Sequence, residues 1–184
     1  MTVDHPYPPL TKNYHYEIEL VAALHRGGRD IPIARALDCV YGYAVGLDMT
    51  RRDLQRARGN EKKPWEIGKS FDRSAPVGPI HPVAQTGHFR QGAIRLAVNG
   101  TVRQSADLGQ MIWSVAEQIS KLSEAFELMP ADIIYSGTAG KRRPGRARRP
   151  DGRPHRRAAR HPREGRLTPD RARRGGGQPR HCCR

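Results

Sequence analysis

Cysteine is scarce in this chain of 184 residues: Cys39 sits in an apolar stretch, and Cys182 and Cys183 are adjacent near the end. Adjacent cysteines seldom bond each other, and none of the spacings suits zinc, so neither a disulfide framework nor a zinc fold is expected. No apolar run is long enough to span a bilayer, and the first residues carry no apolar signal core. A cytoplasmic location with no membrane partner is the expectation. Aromatic residues make up only 6% of the chain, and residues 141–184 contain none at all, nor any Ile, Val or Met. Such a segment cannot bury enough apolar surface to offset its chain entropy, which predicts disorder there.

Acidic residues are unevenly missing. Residues 1–140 hold 16 Lys and Arg against 15 Asp and Glu, a net charge of +1, whereas residues 141–184 hold 17 against 3, a net charge of +14. The formal excess of +15 therefore belongs almost wholly to the end of the chain. The reading is one near-neutral globular domain over residues 1–140 and an arginine-rich tail over 141–184. A basic tail attracts phosphate backbones. Without an aromatic residue to stack on a base, any such binding is nonspecific.

The hydropathy pattern places the elements. Residues 1–12 read as a proline-rich extended lead-in. Tyr14 to Leu24 alternates Tyr16, Ile18 and Leu20 against Glu17, Glu19 and Val21, a strand pattern. Ile33 to Asp38 suits one or two helical turns. Val40 to Leu47 reads as a buried strand with Asp48 at its end, and Thr50 suits the cap of a short helix through Gln55 and beyond, with Asp53 at the capping-box position. Gly59 to Pro64 is a polar loop. Asn99-Gly100 between Ile94–Val98 and Thr101–Arg103 is a strong hairpin signal. Leu108, Met111, Ile112, Val115, Ala116, Ile119, Leu122 and Phe126 recur at helical spacing and predict one long amphipathic helix that stops near Pro130. Asp132 to Tyr135 is a short strand. Strands with one long helix indicate an α+β fold.

Glu17 and Glu19 lie two apart on a predicted strand and so share a face. Two carboxylates side by side repel, and a hard cation such as Mg, Mn or Ca resolves that repulsion; a solvent-facing polar edge is the plainer alternative. Asp48 suits either a site or a turn cap. His15, His81 and His88 have no partner pattern and read as packed or solvated.

Several stretches together resemble the fumarylacetoacetate hydrolase family. They are Tyr16-Glu17-Ile18-Glu19-Leu20, Tyr41 to Gln55 (YGYAVGLDMTRRDLQ), Pro64 to Asp72 (PWEIGKSFD), Val98-Asn99-Gly100, Met111-Ile112 and Asp132 to Thr138 (DIIYSGT). They follow the family's order from about Tyr7 to Thr138. The resemblance implies a mainly β-sheet roll of mixed strands. It implies Glu17, Glu19 and Asp48 as ligands of a divalent cation, most commonly magnesium, with manganese or calcium as alternatives. Lys69 matches the catalytic lysine that holds and polarises substrate, Arg52 and Gln55 match positions facing the substrate, and Gly137 and Thr138 match a loop at its carboxylate end. The implied reaction is hydrolysis of a carbon–carbon bond in a diketo acid such as fumarylpyruvate. Intact relatives are commonly homodimers.

The chain departs from the family pattern twice. The family's water-activating His and Glu lie upstream of the first metal ligands, and no counterpart is recognised before Glu17. After Thr138 the expected proline, glycine turn and closing strands give way to Arg-, Gly- and Pro-rich sequence, as a GC-rich gene yields when read out of frame. A change of reading frame near Thr138 is the expectation, and a functional basic tail is the rival. A metal-binding fragment without activity is the alternative to an active hydrolase.

Overall fold

The computed structural model describes residues 4–139. The expectations for residues 141–184, including Cys182 and Cys183, lie outside the described residues.

Strand β1 (Tyr14–Leu24) is the central element. Tyr14 is buried and His15 to Glu17 are half-buried, whereas every residue from Ile18 to Leu24 is buried, and Val21 and Ala22 have no exposed surface. A strand buried on both faces reads as a continuous apolar run, as Leu20 to Leu24 does. On one side β1 pairs antiparallel with β2 (Val40–Arg51), in a register that sets Tyr14 opposite Arg51, Glu17 opposite Asp48 and Val21 opposite Ala44. Beyond β2 lies the two-residue β3 (His81–Pro82). On its other side β1 pairs with the strand Ile133–Tyr135 at Val21 to Ala23. The hairpin β4 (Ala93–Val98) and β5 (Thr101–Asp107) forms a separate two-stranded sheet, with Ile133–Tyr135 completing the count as β6. Every described strand pairing is antiparallel. Asn99 and Gly100 both have positive φ, 50° and 78°, the turn that the Asn-Gly pair predicts.

Helices are short and lie around the sheet. Helix α1 (Ile33–Ala36) and a 3-10 turn at Leu37–Cys39 match the one or two turns expected. Helices α2 (Arg52–Asn60) and α3 (Val83–Thr86) bury no residue fully, and Arg52 to Gln55 are half-buried. Helix α4 (Val115–Ala125) packs on α1 and buries Val115 and Ile119, with the buried Ser123 hydroxyl accepting the Ile31 N–H at 2.8 Å. The core joins these residues to Ile18, Leu20, Ala22 and Leu24 of β1 and to Tyr43 and Leu47 of β2. Cys39 is buried and free.

Three expectations need correction. Asp48 lies inside β2, not at its end, because pairing with Tyr14 to Glu17 keeps the chain extended to Arg51. For the same reason Thr50 caps nothing. It sits in the ladder opposite His15, fully buried, and α2 starts at Arg52 without a side-chain cap. Asp53 instead ties the helix to the lead-in, accepting the Thr11 hydroxyl and the Lys12 N–H, and α2 runs one residue past Gly59 into the expected loop. The long helix is also shorter than the apolar spacing predicts. Leu108–Gln110 is a 3-10 turn capped by Asp107, the chain is extended at Met111, and α4 begins only after Ser114. Two capping boxes, Asp107 with Gln110 and Ser114 with Glu117, divide the stretch. Ile112 falls between them and is 94% exposed.

Candidate metal centre

The ladder of β1 and β2 builds the site. Residues two apart on β1 share a face, and residues opposite each other across the ladder share it too. Glu17, Glu19 and Asp48 therefore project from one surface, each offering a carboxylate oxygen within 4.8 Å of the others. Glu19 is the deepest, 4% exposed. Gly46, opposite Glu19, leaves room for the Tyr135 ring: a Cβ there would lie 2.6 Å from it. Tyr135 in turn donates its hydroxyl to the Ala75 carbonyl at 2.8 Å.

Two cationic side chains complete the cluster. The Lys69 ammonium pairs with Asp48. Arg52, the first residue of α2, reaches Glu17 Oε1 at 3.2 Å and donates to Gln55 Oε1 at 2.6 Å. Lys69 follows a 3-10 turn at Glu66–Gly68 that lies directly on α2. A Cβ on Gly68 would stand 2.8–2.9 Å from the Cβ, Cα and N of Gln55, so this approach requires glycine. Gly137, with φ 82°, donates its N–H to Glu19 Oε2 at 2.9 Å. The Thr138 hydroxyl is buried and has no hydrogen-bond partner among the described residues. Gln118 of α4 donates to both the Trp113 and Ser136 carbonyls at 3.0 Å, holding the segment that presents Gly137.

Of the eight residues singled out from the sequence, Glu17, Glu19 and Asp48 share one face of the β1–β2 ladder, Arg52 and Lys69 pair with two of them, Gln55 bonds Arg52 and Gly137 bonds Glu19, while Thr138 follows Gly137 without a contact to the carboxylates among the described residues. His15 shares that face, half-buried, with Nε2 2.9 Å from Asn13 Oδ1, and burial, then Arg52, lower its pKa. His88 lies away from the site, against the Tyr43 hydroxyl at 2.9 Å. Sequence reasoning did not single out Gln118, which braces the Ser136 carbonyl, or Tyr135, whose ring packs over Gly46 beside Glu19.

The electrostatics reflect crowded like charges. Burial pushes the Glu19 carboxyl up to about 7, and the neighbouring Asp48 and Glu17 push the same way. The Gly137 N–H and Lys69 pull it back only in part. Oxygen donors in close triangular approach, one of them desolvated, fit a hard divalent cation. Among the described residues no helix is long and apolar enough to cross a membrane.

Comparison with known proteins places this geometry. The family model for the fumarylacetoacetate (FAA) hydrolase C-terminal domain matches residues 3–164, past the Thr138 boundary read from the motifs and into the arginine-rich segment. A fumarylpyruvate hydrolase of Ralstonia sp. is 46% identical over 132 residues, covering 72% of this chain and 68% of the relative. A human mitochondrial oxaloacetate tautomerase is 38% identical over 131 residues, 71% of this chain and 59% of the relative. The crystal structure of fumarylpyruvate hydrolase from Pseudomonas aeruginosa, in complex with Mn2+ and pyruvate, superposes with a TM-score of 0.71 at 57% identity. That match covers 74% of this chain but only 60% of the other. The carboxylate ladder, the antiparallel architecture and these matches agree, and the chain belongs to the fumarylacetoacetate hydrolase C-terminal domain family.

Proposed function

We propose that Glu17, Glu19 and Asp48 hold a divalent cation, magnesium or manganese, and that the protein hydrolyses a carbon–carbon bond in a diketo acid of the fumarylpyruvate type. The observation that carries this reading is the convergence of three carboxylates within 4.8 Å, one of them buried, with Lys69 and Arg52 paired to them. The manganese and pyruvate bound by the Pseudomonas relative support it.

A cation at the carboxylates supplies Lewis-acid polarisation of adjacent substrate oxygens. The remaining roles belong to the chain. Glu17, Glu19 and Asp48 fix the geometry. Arg52, held between Glu17 and Gln55, turns a guanidinium edge to the same face and, with Gln55, orients the substrate. Gly137, whose N–H holds Glu19, and its neighbour Thr138 are assigned to the carboxylate end of the substrate. Hydrolysis places the hydroxyl of water on the acyl carbon and a proton on the carbon that departs with pyruvate. Negative charge develops on the departing fragment as the bond breaks, and the Lys69 ammonium stabilises it there.

The test follows the loss of fumarylpyruvate absorbance by the full chain with added manganese or magnesium, with Asp48→Ala as control and oxaloacetate tautomerisation as a second assay. Metal-dependent turnover that Asp48→Ala abolishes supports the hydrolase. Turnover of oxaloacetate alone would redirect the reading to the tautomerase branch. Metal binding with neither activity would make the chain a binding fragment of its family.

A further inference from the structure

The outer edge of β1 is satisfied residue by residue. The Leu24 N–H donates to the Asp132 carbonyl and its carbonyl accepts from Ala131, Ala22 pairs with Ile134, and the Leu20 carbonyl accepts the Ser136 N–H at 3.0 Å. The following strand then leaves the edge, and Gly137 turns its N–H to the Glu19 side chain instead. Ile18 is the next residue whose N–H and carbonyl point outward, and among the described residues no strand pairs with it there. One side chain meets both groups: Gln104 of β5 accepts the Ile18 N–H on Oε1 at 2.9 Å and donates from Nε2 to the Ile18 carbonyl at 3.3 Å. The opposite amide orientation would set donor against donor and acceptor against acceptor, so this network fixes it.

The hairpin is placed to make this contact. Gln104 pairs with Leu96 across β4 and β5, and Leu96 and Ala106 pack against the core. That face of the hairpin therefore looks onto β1. The carboxamide has the donor and acceptor of a peptide group and takes the place of a neighbouring strand for one residue. That residue lies between Glu17 and Glu19.

We propose that Gln104 is a positioning residue for the metal centre: its carboxamide, bound to both backbone groups of Ile18, sets the strand geometry that holds Glu17 and Glu19 side by side. This rests on the metal-binding reading given above. Gln104 touches neither carboxylate and acts only through the backbone between them. Partners bonded directly to metal ligands alter affinity 10–100-fold when removed, which sets the scale for one acting through the backbone between them.

The experiment is a calorimetric manganese titration of the full chain, well below the melting temperature, comparing wild type with Gln104→Met, which keeps the length and loses both hydrogen bonds. Ser105→Ala, on an exposed neighbour, is the control. Amide hydrogen exchange at Ile18 is followed in parallel. The expected result is manganese binding weakened about tenfold or more in Gln104→Met, faster exchange at Ile18 with the β1–β2 ladder still protected, and wild-type affinity in Ser105→Ala. Should Gln104→Met not fold, Gln104→Asn, one methylene too short to meet both groups, carries the same expectation. Unchanged affinity in a folded variant, even with a lowered melting temperature, would overturn the positioning role and leave the metal reading intact. Wild-type protein that binds no manganese would overturn the metal reading itself, and the positioning role with it.

Discussion

Glu17 of β1 and Asp48 of β2 stand directly opposite each other across an antiparallel ladder. Like charges in that position destabilise a sheet, and here the third carboxylate of Glu19 adds to them. A cation that binds only the folded state recovers this cost. Manganese at a hundred times its dissociation constant should therefore raise unfolding free energy by about 2.7 kcal/mol. Thermal denaturation with and without manganese checks this, and Asp48→Ala should remove the shift. An equal shift in Asp48→Ala would place the ion elsewhere.

The buried Glu19 carboxyl gives the metal-free protein a pH dependence of defined sign. Its folded pKa, about 7, lies above the ordinary value of 4.5. A carboxyl shifted upward favours the folded state fully below the unfolded pKa and loses that contribution as pH rises through the folded one. Stability in the presence of a chelator should thus fall between about pH 4.5 and 7, by about 3 kcal/mol from this residue at about 1.4 kcal/mol per pKa unit. Urea denaturation at pH 5 and pH 8 measures it. Glu19→Gln, which keeps an acceptor for Gly137, should flatten the difference; a slope unchanged by that substitution would assign it to another group.

Gly68 holds the Lys69 turn against α2 at a distance only glycine permits. Gly68→Ala should cost about 1–3 kcal/mol of stability, as overpacking does, and should pull Lys69 away from Asp48. Turnover should fall more than manganese affinity, since the three carboxylates stay on their strands. Parallel loss of both would mean that the turn also shapes the carboxylate cluster.

Thr50 is fully buried beside the site and its hydroxyl has no hydrogen-bond partner among the described residues. Thr50→Val removes that group at nearly constant shape and should raise stability by about 1 kcal/mol. Chemical denaturation reads the sign directly. A loss of stability would show that the hydroxyl is hydrogen-bonded, through a water in the sheet.

Ser114 starts α4 through a reciprocal box with Glu117. Ser114→Ala should cost about 1 kcal/mol and leave manganese affinity unchanged. A change in affinity would mean that the start of the helix feeds into the carboxylate cluster.

Much of this was legible in the sequence, for local reasons. The alternation at Tyr14 to Leu20 gave the strand and put Glu17 and Glu19 on one face, and Asn99-Gly100 gave the hairpin. What failed were boundaries set by partners elsewhere in the chain. The apolar run of β2 ends at Leu47, yet pairing with Tyr14 to Glu17 carries the strand to Arg51 and encloses Asp48. The spacing from Leu108 to Phe126 is helical, but the capping residues Asp107 and Ser114 were both readable and outweigh it. Gln104 could not be found this way, because nothing near it in sequence marks a carboxamide that will meet a strand 86 positions earlier.

Gln118 joins the carbonyl that precedes α4 to the carbonyl next to Gly137. One side chain therefore welds an exposed, aromatic-bearing turn at Trp113 to the loop whose amide steadies Glu19. Loss of the Gln118 side chain, which touches none of the three carboxylates, should therefore loosen the loop that carries Gly137 and reach Glu19 from a distance.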